Sequence, residues 1–207
     1  MPPFGPFKTQ EGSKKYPAIA LIEFSSIAEG ITAADAMVKK APLDLIEAGT
    51  VQPGKYLVLV AGDVASVDES FKEGLGVKPD TIIDSVILPD VDQQVHDAIF
   101  KKKIKNDFEA VSMIEASTVA SVIDAADAAV KGAQVKLLEM CLADGLGGKS
   151  FALFGGKVED AQAAVDIGIS RIQGRNADVH STVIPRIDEA MASRVSKTSR
   201  FFEHGKK

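Results

Sequence analysis

Scarcity is the first feature of this chain. Among its 207 residues there is one cysteine, Cys141, so no intrachain disulfide can form, and a lone thiol accords with a reducing compartment. Positive charge is not in excess: 24 Lys and Arg stand against 29 Asp and Glu, for a net charge of −5. Split at residue 105, the halves carry 12 basic against 15 acidic groups and 12 against 14, so neither half has the electrostatic footing of a nucleic-acid module. No apolar run approaches the ~18 residues of a membrane span. The first residues, Met-Pro-Pro-Phe-Gly-Pro-Phe-Lys, lack the continuous apolar core of a signal peptide. The three histidines, His96, His180 and His204, lie too far apart for metal-ligand spacing. The expectation is a soluble intracellular protein with no nucleic acid, membrane or metal to bind.

What the chain does contain, it contains twice. Residues 18–47 return at 110–139, and the two stretches agree without a gap at about half of their positions. Ala33-Ala34-Asp35-Ala36 falls on Ala125-Ala126-Asp127-Ala128, and Val38-Lys39 on Val130-Lys131. Farther on, Val60-Ala61-Gly62-Asp63-Val64 answers Phe154-Gly155-Gly156-Lys157-Val158, and Ser85-Val86-Ile87-Leu88-Pro89 answers Ser181-Thr182-Val183-Ile184-Pro185. A spacing this long exceeds the roughly 20–50 residues of a solenoid unit. Each copy can carry its own core, which makes this a duplicated domain. The division read from the repeat is an N-terminal extension (1–16), a first domain (17–104), a second domain (105–195) and a C-terminal tail (196–207).

Each copy reads as β-α-β-β-α-β. In the first, Ala18 to Phe24 forms a strand, followed by an Ala-rich helix from about Ile31 to Lys40, with Thr32 and Asp35 at the spacing of a capping box. Strands Leu43 to Ala48 and Lys55 to Ala61 flank a Gly- and Pro-bearing hairpin loop, residues 49–54. Asp63 is placed to cap a helix from Val64 to about Gly74. A fourth strand, Ile82 to Leu88, ends at Pro89, and Asp90 is placed to cap a last helix toward Phe100. Lys101 to Lys105 reads as an exposed linker. Doubled units of this kind give α/β (α+β) domains of ferredoxin-like build, with antiparallel sheets and helices on one face. Alanines 33, 34 and 36, with 125, 126, 128 and 129, let those helices approach the sheet closely. Strand Tyr56 to Ala61 is apolar on both faces, so the other face of the sheet is expected to be covered too, by the second copy or by another subunit.

The run Ile-Glu…Ala-Ala-Asp-Ala-x-Val-Lys…Leu-x-Glu, the hairpin loop ending in Gly-Lys, the strand closing in Gly-Asp-Val and the final Val-Ile-Pro-Arg together resemble the bacterial microcompartment shell domain. Two unpermuted copies resemble the tandem-domain, trimer-forming class of those shell proteins, over nearly the whole chain. That resemblance implies a structural shell tile rather than an enzyme: a homotrimer imitating a hexamer, packed beside other shell proteins around enzymes in the cytoplasm. It also implies a central pore for small polar metabolites, lined by the hairpin loops. In this sequence those are Val51, Gln52, Pro53 and Gly54, with Thr50 beside them, and Asp144, Gly145, Leu146, Gly147 and Gly148, with Leu142 and Ala143 ahead of them. The second loop is two residues longer, and its glycines make it the more permissive. Lys39 and Lys131 match the lysine along tile edges, and Arg186 matches an arginine that docks in a neighbouring tile. The first copy has Asp90 where that arginine would stand.

Some tandem shell proteins hold an iron–sulfur cluster at the pore through a loop cysteine. Gln52 occupies that position here, and clusters depend on thiolate, so no cofactor is expected. The single Cys141 is expected to behave as a small hydrophobe. Gly145-x-Gly147-Gly148-Lys149-Ser150 has phosphate-loop elements without the spacing, and a strand follows rather than a helix. Glu23 with Glu115, and Asp35 with Asp127, are paired carboxylates through duplication and read as structural. The tail from Ser193 to Lys207 reads as a frayed terminus. A soluble regulatory protein of ferredoxin-like fold, with a ligand between its copies, is the alternative; a small enzyme is disfavoured because no acid, base and nucleophile converge.

Overall fold

A computed structural model describes residues 16–100, 108–143 and 145–197. The first copy runs β1 (Ala18–Phe24), α1 (Ile27–Lys40), β2 (Leu45–Val51), β3 (Lys55–Gly62), α2 (Val64–Val77), β4 (Ile82–Leu88) and α3 (Gln93–Ile99). The second runs β5 (Ala110–Ala116), α4 (Val119–Gly132), β6 (Lys136–Leu142), β7 (Ser150–Gly156), α5 (Val158–Ile172), β8 (Val179–Pro185) and α6 (Glu189–Lys197). The linker and most of the tail singled out above lie outside the described residues.

Both sheets are antiparallel and four-stranded, in the order β2-β3-β1-β4 and β6-β7-β5-β8. Leu21 sits between Leu59 and Val86, and its counterpart Met113 between Leu153 and Thr182. Alternation along β1 then divides its side chains between two faces. Ala18, Ala20, Ile22 and Phe24 join Val58, Val60, Ala33, Met37, Val67 and Phe71 in a core under α1 and α2. Ile19 and Leu21, with Leu59, Ala61, Val86 and Leu88, belong instead to a larger cluster that includes Val119, Ile123 and Ala126 of α4. The expected cover on the second face is thus supplied by the second copy. Burying each such aliphatic side chain stabilises by roughly 1.5–3 kcal/mol, so the shared cluster holds the copies together as well as each copy within itself.

Three local readings are corrected. The first helix begins at Ile27, four residues before the expected start, with Ser26 as its N-cap accepting from the Glu29 amide. Thr32 lies inside it and donates to the Ala28 carbonyl at 3.0 Å, so Thr32 and Asp35 form no capping box. Strand β2 extends through Val51, which leaves only Gln52, Pro53 and Gly54 as the turn. The last helix of the first copy is capped by Asp92, which accepts from the Gln94 amide at 2.8 Å, rather than by Asp90. Asp63 caps α2 as expected, taking the Ala65 and Ser66 amides at 3.0 Å each.

Candidate functional site

Duplication gives two similar helices, α1 and α4, and the structure treats them differently. In α4, Val119 and Ile123 are 0% exposed because the helix lies against β1 and β4 of the first copy. Their counterparts in α1, Ile27 and Ile31, are 41% and 52% exposed. The strands show the same asymmetry: β4 is buried or half-buried throughout, whereas β8 is exposed at five of its seven positions. One copy-to-copy joint is closed inside the chain, and the corresponding faces of α1 and β8 are exposed.

The closed joint is polar at its rim. Thr118 and Ser121, in the first turn of α4, donate to Asp84 Oδ2 of β4 at 2.6 and 2.7 Å. Arg175, in the loop before β8, donates to Asp84 Oδ1 and to the Ser85 carbonyl at 2.8 Å each, and its other end pairs with Asp124. Arg171 adds a bond to Asp124 at 2.8 Å. Burial pushes the Asp84 carboxyl up, but the Thr118 and Ser121 hydroxyls, the Ser85 amide and the Arg175 guanidinium outweigh it and hold it below the ordinary carboxylate range. Glu23, fully buried, caps α4 from the other copy by accepting the Ala120 amide at 2.8 Å. For Glu23 burial is the largest influence and raises its carboxyl, despite the Ala120 amide and the Lys55 ammonium at 3.4 Å. Its duplicate Glu115 is half-buried and pairs with Lys149 at 2.7 Å.

Lys55 ties this joint to the hairpins, since its Nζ also donates to the Ser117 carbonyl at 2.8 Å and the Gly148 carbonyl at 3.4 Å. The turns of the two copies therefore meet. Gly148, at φ +87°, lies so close to the first turn that a Cβ on it would stand 2.8 Å from Pro53 Cδ and 3.0 Å from the Gln52 carbonyl. Thr50 and Val51 belong to β2 and stand opposite Tyr56 and Lys55. Leu142 ends β6, and Ala143, buried with φ 55°, receives the Leu146 amide at 3.1 Å. Leu146 is exposed, Gly145 and Gly147 also have positive φ, and Asp144 lies outside the described residues. Cys141 is in β6, not in the turn, opposite Phe151.

The three edge residues are spread over the surface. Lys39 is 71% exposed and paired with Asp35 at 2.5 Å. Lys131 binds Asp127 at 2.6 Å and also the Asp90 carbonyl, at the border with the first copy. Arg186 is exposed just past β8, with φ 53° and its amide on the Glu109 carbonyl at 3.1 Å. Among the described residues no group of three or more His, Cys, Asp or Glu is arranged to hold a metal ion, and no helix is long and apolar enough to cross a membrane.

The BMC domain model matches residues 18–91 and again residues 110–187. The chain belongs to the bacterial microcompartment (BMC) domain family. Both BMC domains are unpermuted, in the tandem arrangement expected from the repeat. A curated relative, the bacterial microcompartment shell protein PduT of Citrobacter freundii, is 36% identical over 174 residues, covering 84% of this chain and 95% of that protein. The crystal structure of a microcompartments protein from Desulfitobacterium hafniense DCB superposes with a TM-score of 0.73 at 41% identity, over 85% of this chain and 98% of that one. The fused permuted hexameric shell protein MSM0275 from the RMM microcompartment is 20% identical, with a TM-score of 0.54 over 75% of this chain and 83% of that one; it bears on the fold alone. The BMC chain described here is a structural component of a microcompartment shell.

The sequence did not single out the residues that close the joint, Asp84, Thr118, Ser121, Asp124 and Arg175. One signal was present. Asp124 interrupts the apolar run Val119-Ala120-Ser121-Val122-Ile123 in a helix otherwise fit for burial, and a carboxylate there needs a cationic partner.

Proposed function

We propose that this BMC chain is a non-catalytic tile that closes head to tail with two others. The homotrimer carries six domains around one axis, and its hairpins form a pore for small polar metabolites. The observation that carries this reading is the repeated joint. Ile27 and Ile31 on the bare face of α1 are the counterparts of Val119 and Ile123 on the covered face of α4, and bare β8 is the counterpart of covered β4. A chain cannot bring its own two ends together, but the next chain can supply the missing half, and such heterologous contacts close into a ring. Three two-domain chains give the six-domain ring of the family.

Contact between the two turns within one chain supports the pore reading for Val51, Gln52, Pro53 and Gly54 with Asp144, Gly145, Leu146, Gly147 and Gly148, because ring closure repeats that contact around the axis. Lys39 and Arg186, both exposed, and Lys131 are assigned to contacts between neighbouring tiles, including other shell proteins in the cytoplasmic shell. With Gln52 at the turn and Cys141 in a strand, the pore is assigned no iron–sulfur cluster. Light scattering tests the ring: three chains of 21.9 kDa give about 66 kDa, and a stable monomer or dimer at micromolar concentration would end the proposal.

A further inference from the structure

The bare joint is not a replica of the closed one, and the difference is chemical. In the register of the repeat, Thr118 and Ser121 of α4 correspond to Ser26 and Glu29 of α1, and Asp84 of β4 corresponds to His180 of β8. Each strand residue confirms the match by its neighbour: Asp84 stands opposite Glu23 on β1, and His180 opposite Glu115 on β5. Where the chain closes on itself, a carboxylate meets two hydroxyls and an arginine. Where two chains would meet, an imidazole meets a hydroxyl and a carboxylate. The arginine's place is also altered, since the segment before β4 is Lys78-Pro79-Asp80-Thr81, and Lys78 already reaches Glu29 at 3.8 Å. His180 is exposed and Glu29 half-buried in the single chain, as residues awaiting a partner should be.

We infer that the partner of β8 is the α1 face of a second copy of this chain, and that His180 of one chain closes on Ser26 and Glu29 of the next. The inference rests on the ring reading and adds its locking pair. The charged groups around the imidazole are then its own chain's Glu115, with Lys149 paired to it, and the next chain's Glu29 with Lys78. Glu115 takes the part that Glu23 plays inside the chain, accepting the amide of Ala28 as Glu23 accepts that of Ala120. With two carboxylates against one imidazole, protonation strengthens the contact. An imidazole facing carboxylates is held more tightly once it carries a proton, so the ring tightens on mild acidification.

The test is ring dissociation of the full chain, followed by mass photometry on dilution. His180→Asp sets a second carboxylate against Glu29, where like charges oppose each other, and should raise the dissociation constant at pH 7 by at least about tenfold. Adding Glu29→Ser rebuilds the Asp84–Ser121 pairing of the closed joint and should restore wild-type dissociation. That recovery ties the defect to this pair. Glu29→Gln should dissociate with a weaker response between pH 7.5 and 6 than wild type. A wild-type trimer whose dissociation is unmoved by His180→Asp, or a defect that Glu29→Ser leaves in place, overturns the locking pair while leaving the ring standing. A wild-type chain of 21.9 kDa that stays monomeric or dimeric at micromolar concentration overturns the ring itself.

Discussion

Replacing Asp84 by alanine separates the closed joint from the rest of the fold. The carboxylate accepts from Thr118, Ser121 and Arg175 at 2.6–2.8 Å, and hydrogen bonds to a charged group contribute about 1.5–3 kcal/mol each. Their sum overstates the loss. Arg175 is 24% exposed and keeps Asp124 and the Ser85 carbonyl, while water can reach part of the vacated space. An expected cost of about 2–4 kcal/mol follows, near the range for breaking a buried charged pair. For a chain of this length about 1 kcal/mol lowers Tm by ~2–4 °C, so the variant should melt roughly 5–15 °C lower at equal protein concentration. The dependence on pH has a definite sign. Because the folded carboxyl is held below its unfolded value, its stabilisation is present above about pH 4 and is lost as pH falls through the folded value. Urea titrations of the wild type and Asp84→Ala should therefore converge in acid. Asp68→Ala, which removes only an exposed pair with Lys72, serves as control and should stay within ~0.5 kcal/mol. A loss below about 0.5 kcal/mol at pH 7, or one that does not shrink in acid, would refute the reasoning.

Glu23 titrates in the opposite sense. Its folded carboxyl is raised, chiefly by burial, so its favourable contribution is complete below the unfolded value and is lost as pH rises through the folded value. Glu23→Gln should accordingly gain on the wild type as pH rises through that window, as followed by urea midpoints; a constant difference would contradict the assignment. Gly148→Ala combines positive φ with contact against Pro53 and should cost about 1–3 kcal/mol. Gly145→Ala meets open space and should cost only the left-handed backbone strain of about 1–2 kcal/mol; equal melting of the two would show that the turns do not touch. Anaerobic reconstitution with iron and sulfide should leave the protein colourless, and stoichiometric iron lost in Cys141→Ser would overturn that.

The repeat made the strands and the antiparallel ferredoxin-like sheets legible, because short continuous apolar runs such as Ala18–Phe24 and Lys55–Gly62, bounded by Gly and Pro and occurring twice, read as strands buried on both faces. The start of α1 was not legible. Ile27-Ala28-Glu29-Gly30 looks like a poor helix, yet Gly30 is required by a long-range contact: a Cβ there would stand 2.5 Å from the Tyr56 ring. At the same positions the second copy has Val122 and Ser150, an exchange of small for large across the two elements. The hairpin residues could be located from their glycines, but the meeting of the two turns depends on how the copies join. For the same reason Glu23 and Glu115 look alike in sequence while only Glu23 is fully buried. Burial is decided by which copy's face is covered, and local pattern carries no record of that.

Ring closure can be tested most directly by joining the two bare half-joints covalently. Glu29→Cys and His180→Cys in one Cys141→Ser chain place thiols at the counterparts of Ser121 and Asp84, whose side chains touch at 2.7 Å in the closed joint. Under mild oxidation, a denaturing gel should show a ladder of one, two and three linked chains, ending at about 66 kDa for chains of 21.9 kDa. A ladder that continues beyond three chains, one that stops at two, or monomers alone under conditions that oxidise both thiols would contradict head-to-tail closure of the tile.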